Sequence, residues 1–345
     1  MAADRWSVQK FTGDTTSEQM PLVQVSGLRK LYPLTTGIFR TSQSYIHAVD
    51  DINFTIPHGE SLGLVGESGS GKTTTGKLLT RLIDPTDGQI HIYTSGGDTE
   101  IAHLRGKELK KFRRHVQMIF QDPYESLNPR RTIFDTIAEP LVVQGIGDLA
   151  EREKRVAELL VWVGLTPPET FMFRFPHELS GGQRQRVAIA RALVVSPTFV
   201  VADEPTSMLD VSIRTGIMHL MQELADKLGV TYLYITHDLA VARYMSNKLA
   251  VMYLGKIVEM GDTEEVLSKP LHPYTRALIS AVPIPDPSYD RGIPNIKGSI
   301  AQPINPLPRC RFFDRCPMAA KVCEENDHPP LQDKGDNHLV ACYLV

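Results

Sequence analysis

The chain has 345 residues, 42% of them hydrophobic and 22% charged, with a formal net charge of −3 at pH 7. These values fit a soluble globular protein of about two domains and give no basis for holding nucleic acid through net charge. No apolar run approaches the roughly 18 residues of a membrane-spanning helix, and the polar stretch 1–24 lacks the apolar core of a signal peptide, so a cytoplasmic protein is expected.

Residues 1–20 read as a disordered or loosely docked tail. Residues 22–28 and 46–56 alternate apolar and polar side chains, the pattern of half-buried strands. Ser61 to Gly66 forms a short apolar strand that runs into a glycine-rich loop, and Thr73 to Ile83 follows as a helix. Residues 123–178 carry helical periodicity, notably Glu151 to Gly164, and read as a helical insert in an α/β core. The apolar strands Thr198–Ala202 and Thr231–Thr236 alternate with helices over Gly182–Val195 and Ile213–Leu228, which predicts a mainly parallel sheet covered on both faces. From Pro270 onward frequent prolines break regular structure, and 283–308 reads as an extended linker. The four cysteines, Cys310, Cys316, Cys323 and Cys342, all lie beyond it.

The glycine loop Gly66-Glu67-Ser68-Gly69-Ser70-Gly71-Lys72-Thr73, followed by Thr74, fits G-x-x-x-x-G-K-[ST] between a strand and a helix. Glycines let the backbone N–H groups converge on phosphate oxygens, and the helix N-terminus adds positive potential. Lys72 is expected on the β- and γ-phosphates and the Thr73 hydroxyl on Mg²⁺. Asp203 ends an apolar strand, where it suits a Mg²⁺ water shell. Glu204, one residue on, suits the activation of an attacking water. Leu179-Ser180-Gly181-Gly182-Gln183 opens a helix with Ser180 as its natural cap, an anion site additional to the one the glycine loop supplies. The bland readings are a chance glycine turn, two acids capping a strand and an ordinary capped helix.

Taken together, these segments with Gln121, Ser207–Asp210 and His237 occur in the order and spacing of the ABC (ATP-binding cassette) ATPases, and the resemblance spans 22–262. It implies a P-loop α/β core with a mainly parallel sheet, an antiparallel β subdomain and an inserted helical subdomain. It also implies ATP and Mg²⁺, and a head-to-tail dimer in which each ATP lies between one subunit's phosphate loop and the other's Ser180–Gln183. By the same resemblance Gln121 is the glutamine that touches Mg²⁺ and water, with Thr73 and Asp203 as the other metal contacts. Asp210 belongs to the adjoining loop, where Met208 replaces the commoner alanine. His237 is the histidine on the γ-phosphate, and Tyr32 the aromatic stacked on adenine. A structural histidine and a packing tyrosine are the alternatives for the last two. The implied organisation is a tail at 1–20, an ATPase domain at 21–270 with its helical subdomain at about 123–180, a proline-rich linker at 271–308 and a cysteine-rich extension at 309–345.

Ile119–Pro123, Ser126–Arg130, His272–Thr275 and Cys310–Pro317 further resemble the ATPases of oligopeptide and dipeptide importers. This implies a subunit at the cytoplasmic face of the inner membrane that drives peptide uptake. Its implied partners are two polytopic permeases, a second ATPase chain (a copy or a relative) and an extracytoplasmic substrate-binding protein. Nickel or oligosaccharide importers, and a soluble ABC ATPase without a transport role, are the alternatives. The spacing C-x5-C-x6-C-x18-C lacks the tight knuckle of most zinc sites. The resemblance implies a [4Fe–4S] cluster on the four thiols, with Zn²⁺ or free thiols as alternatives. The basic run Arg105–Arg114 reads as a solvated helix face, with no interleaved aromatics to stack on bases.

Overall fold

Ile52, Phe54 and Ile56 are buried while Asp51, Asn53 and Thr55 between them are exposed, so the period-two pattern read from the sequence becomes a one-sided strand. A computed structural model describes residues 21–34, 44–94, 97–282, 296 and 302–345. The expected tail at 1–20 and most of the stretch 283–301 lie outside the described residues. The chain divides into two units. One is formed mainly by Ile92–Leu233 and is called here the helical unit; the other, formed by Gln24–Thr55, Ser61–His91 and Tyr234–Val345, is the phosphate-loop unit.

In chain order the elements are β1 (Pro21–Leu34), β2 (Ser44–Pro57), β3 (Ser61–Val65), α1 (Lys72–Leu79), β4 (Asp87–Thr94), β5 (Gly97–Glu100), α2 (Gly106–His115), β6 (Val116–Ile119), α3 (Pro123–Ser126) and α4 (Ile133–Gln144). Next come α5 (Leu149–Trp162), α6 (Pro168–Met172), α7 (Gly181–Leu193), β7 (Phe199–Asp203), α8 (Val211–Leu228), β8 (Thr231–Thr236) and α9 (Leu239–Met245). The chain closes with β9 (Lys248–Tyr253), β10 (Lys256–Asp262), α10 (Thr263–Ser268), α11 (Pro273–Ala281), α12 (Lys321–Glu325), β11 (Gln332–Asp333) and β12 (Leu339–Val340).

Within the helical unit, β6 and β7 pair in parallel, from Val116 against Phe199 to Ile119 against Ala202. All of β7 is buried, as a strand covered on both faces requires. Helices α4 and α5 begin on side-chain caps. The Thr132 hydroxyl accepts from the Asp135 N–H, and Asp148 forms a reciprocal capping box with Glu151. The two helices bury Ile133, Ile137, Leu141, Val156, Leu159 and Leu160, each worth about 1.5–3 kcal/mol in apolar burial. Gly145 ends α4 at φ 70°, and its N–H returns to the carbonyls of Leu141 and Val142. The basic helix α2 buries Phe112 and leaves its lysines exposed, as a solvated face would.

In the phosphate-loop unit, β3 pairs in parallel with β9, and β9, β10, β12 and β11 continue outward as antiparallel neighbours. The last two strands come from the cysteine-bearing segment, with Val340 opposite Glu259 and Leu339 opposite Met260. Two-residue strands are too short to carry a periodic pattern, so neither is legible in the sequence. That segment also enters the core. Phe312 and Cys316 pack with Val65, Leu249, Val251, Tyr253, Val258 and Tyr274, and the Phe312 ring meets Tyr253 edge-on at 5.2 Å. The stretch that begins at Pro273 opens as helix α11, because proline is tolerated in a first turn and the His272 ring accepts from the Tyr274 N–H.

Candidate active site

In the phosphate-loop unit the loop between β3 and α1 takes its shape from two glycines. Gly66 has φ 152° and Gly71 has φ 111°; a Cβ on Gly66 would drive into the Met252 carbonyl oxygen, and one on Gly71 into that of Ala48. Lys72 is buried, and its ammonium donates to the Gly66 and Glu67 carbonyls at 2.7 and 2.9 Å. Ser68, Gly69 and Thr73 are exposed along the loop, while Ser70 is buried. Gly71 occupies the cap position of α1 without a side-chain cap, so the first N–H groups of the helix rely on the loop or on a ligand. His237 follows β8 directly and is exposed, and Asp238 beside it caps α9. The Tyr32 ring on β1 is 37% exposed, with the Lys30 ammonium 5.1 Å from its centroid, so core packing does not consume it.

In the helical unit, β7 ends at the buried Asp203, and Glu204 follows with φ 45°. A non-glycine residue in that region carries strain that the surroundings must hold. Here Ser207 does so, its N–H and its hydroxyl both donating to the Glu204 carbonyl, at 3.2 and 3.0 Å. The Gln121 amide donates to the Glu204 carboxylate at 3.0 Å, which brings two of the expected site residues together directly. Ser180 caps α7 as the sequence predicts. Its hydroxyl accepts from the Gln183 N–H at 3.3 Å, and the Gln183 side chain accepts from the Ser180 N–H at 3.0 Å. Ser180 is exposed, Gly181 half-buried and Gly182 buried. Asp210 is exposed at the cap position of α8. Gly182 is required by packing, since a Cβ there would lie 2.7 Å from Ile213 Cγ2.

Residues 49–207 match the ABC transporter family, and residues 258–323 match the oligopeptide/dipeptide transporter C-terminal region. The chain is 43% identical over 333 residues to the oligopeptide transport ATP-binding protein AppF of Bacillus subtilis, covering 96% of this chain and 99% of that protein. The chain belongs to the ABC transporter ATPases. It is 42% identical to the dipeptide transport ATP-binding protein DppF of Haemophilus influenzae, over 95% of this chain and 98% of the relative. Among solved structures, a dimeric ATP-binding cassette in a post-hydrolysis state bound to ADP and Pi is 33% identical. It covers 70% of this chain and 98% of its own, with a TM-score of 0.60. The α/β fold expected from the sequence is the fold of this ABC cassette.

The cysteine-bearing segment of this ABC ATPase is less simple. Burial, reinforced by the other three cysteines, pushes Cys310 up to about 11. Among the described residues, however, no group of three or more His, Cys, Asp or Glu side chains is arranged to hold a metal ion. The expected Fe–S or zinc site is therefore not formed by the side chains as they stand. His338, a conceivable substitute ligand, is instead engaged by the buried Glu259 carboxylate at 2.7 Å. Two further contacts of the loop have no signature in the local sequence. The Tyr274 hydroxyl accepts from the Glu67 N–H at 2.8 Å, and Arg315 grips the Glu67 carboxylate with two nitrogens at 2.7 and 3.0 Å. Arg315 stands 248 residues from Glu67, and no local pattern links positions so far apart.

Proposed function

We propose that this chain is the ATP-binding and ATP-hydrolysing subunit that powers a peptide importer. The observation that carries this reading is the similarity to oligopeptide and dipeptide transport ATP-binding proteins along nearly the whole chain, including the C-terminal region. The donor set fits the nucleotide. Lys72 supplies a buried ammonium beside the loop. The Thr73 hydroxyl, Asp203 and Gln121 are oxygen donors of the kind Mg²⁺ selects. Bound Mg²⁺ would neutralise phosphate charge.

In this reading, backbone N–H groups of the loop other than those of Glu67 and Ser70, which bond within the protein, hold the phosphates together with the Lys72 ammonium. Glu204 orients the attacking water and accepts its proton, and the Gln121 amide keeps the carboxylate turned toward that task. His237 supports the γ-phosphate, and Tyr32 offers its exposed ring to adenine. Ser180, Gly181, Gly182 and Gln183, with Asp210, serve the ATP held by a second ATPase chain, so a head-to-tail dimer completes each site. The chain works at the cytoplasmic face of the membrane, docked on two permeases, with a substrate-binding protein outside. No helix among the described residues is long and apolar enough to cross a membrane. A groove of about 450 Å³ on the helical unit, lined by Phe134, Ala138, Val142, Val143 and Leu149 together with the charged Arg131, Asp135, Glu139 and Arg152, offers a seat for a permease segment. Val142 and Val143 are each 54% exposed there. The ATPase domain at 21–270 and the extension at 309–345 belong to this proposal, while helix α11 at Pro273–Ala281, with Tyr274 in the core, occupies the first part of the stretch 271–308 expected as a linker.

For the thiols, we keep a [4Fe–4S] cluster as a subsidiary proposal that rests on the four-cysteine donor set. Because the thiols are not arranged for ligation, this proposal requires their side chains to rearrange on assembly. Anaerobically prepared protein with stoichiometric iron supports it; zinc without iron, or no metal, sinks it. For the main reading the test is nucleotide binding by the purified chain. Lys72→Ala should abolish tight ATP binding, and unaltered binding would contradict the phosphate-loop assignment.

A further inference from the structure

The second residue of the phosphate loop, Glu67, is held through every polar group it has. Its N–H donates to the Tyr274 hydroxyl at 2.8 Å. Its carbonyl accepts from the Lys72 ammonium at 2.9 Å and from the Ser70 N–H at 3.2 Å. Its carboxylate receives two nitrogens of Arg315. A bidentate guanidinium–carboxylate pair fixes direction as well as distance, which a single ammonium cannot do.

Arg315 is itself set in place. It is buried, it lies over the rings of Tyr253 and Phe312, and it donates to the Tyr253 hydroxyl at 3.4 Å. Tyr274 is set by an equally continuous chain of contacts. The Glu259 carboxylate accepts from the N–H groups of Leu271 and His272, and from the His338 ring. The His272 ring in turn accepts from the Tyr274 N–H. Both grips on Glu67 thus originate in the C-terminal third of the chain, outside the segment that matches the ABC transporter family.

We propose that Arg315 and Tyr274 are positioning residues for ATP binding, clamping Glu67 so that the phosphate loop and Lys72 are already in binding geometry before nucleotide arrives. The proposal rests on the phosphate loop being the ATP site. An ion pair that served only to hold the extension down would affect unfolding and leave nucleotide affinity alone. A positioning pair affects affinity, because ATP must then spend binding free energy on forming the loop. If releasing the clamp leaves about one loop in ten formed, the apparent Kd rises about tenfold.

The test measures binding of a fluorescent ATP analogue to the full-length chain, with urea unfolding alongside. Arg315→Met and Glu67→Gln should each raise Kd about tenfold. The double variant should bind no more weakly than either single one, since both remove the same pair. Arg315→Lys keeps the charge without the fork and should fall between wild type and Arg315→Met. It also serves if the methionine variant does not fold. In the assembled transporter Arg315→Lys should raise KM for ATP and recover most of its kcat at saturating ATP. Kd values within about twofold of wild type for both Arg315 variants, with or without a loss of stability, would overturn the proposal. Lys72→Ala run in parallel separates the two levels. If it too leaves binding intact, the ATP-site reading fails; if it abolishes binding while the Arg315 variants do not, only the clamp fails.

Discussion

Glu259 is the buried hinge of the C-terminal packing, and Glu259→Gln probes it with almost no change of volume. One carboxylate oxygen accepts from the Leu271 N–H and the His338 ring, both at 2.7 Å, and the other accepts from the His272 N–H at 3.0 Å. A glutamine amide turned either way places its NH₂ against one of those two backbone N–H groups. The variant therefore loses at least one charge-assisted hydrogen bond and sets donor against donor, a cost of about 2–4 kcal/mol. Glu259→Ala leaves all three donors without a partner in a site the side chain keeps dry, and costs about 3–6 kcal/mol. Native-state hydrogen exchange at the Leu271 and His272 amides reads this locally, where about 2 kcal/mol corresponds to roughly thirtyfold faster exchange. Unchanged exchange at both amides, with a urea midpoint equal to wild type, would refute this account of how α11 is anchored.

Burial, helped by Arg276, depresses His272 to about 3 from 6.5. The unfolded chain therefore takes up a proton that the folded chain refuses as pH falls. Stability contributed by the neutral ring is complete above pH 6.5 and declines by up to about 1.4 kcal/mol per pH unit on acidification toward pH 3. His272→Asn keeps an acceptor for the Tyr274 N–H and should flatten the fall in stability between neutral pH and mild acid; an equally steep fall would contradict it. Val142→Asp places a charge among the apolar residues of the groove and should abolish co-purification with the permeases while the isolated chain still binds ATP. Retained co-purification would move the docking surface elsewhere. Gly182→Ala overpacks against Ile213 and should cost about 1–3 kcal/mol, which Ile213→Ala should largely recover; a Gly182→Ala protein as stable as wild type would contradict that packing.

The legible part of this molecule is the part written in local pattern. The phosphate loop, the Ser180 cap and the acids at the end of β7 follow from short runs whose spacing imposes a backbone geometry. In the structure Ser180 caps α7 and Asp203 closes β7 as those runs require. The pattern predicts a helix through Ile83, but α1 ends at Leu79, because Arg81 turns to φ 52° and buries its guanidinium against Asp84. The pairing of β12 with β10 was invisible, as was the grip of Arg315 on Glu67. Both join residues far apart in the chain, and neither leaves a periodic trace. The strain at Glu204 was equally hidden, since backbone conformation there is imposed by Ser207 and the turn after β7 rather than by residue type.

The most direct test of the central claim is ATP-driven peptide uptake into proteoliposomes containing the complete complex, compared between wild type and Glu204→Gln. The account predicts that the variant still binds ATP, accumulates as a nucleotide-bound dimer, and loses hydrolysis and uptake together by at least about a hundredfold. Hydrolysis undiminished in Glu204→Gln, or peptide uptake that proceeds without it, would contradict the claim.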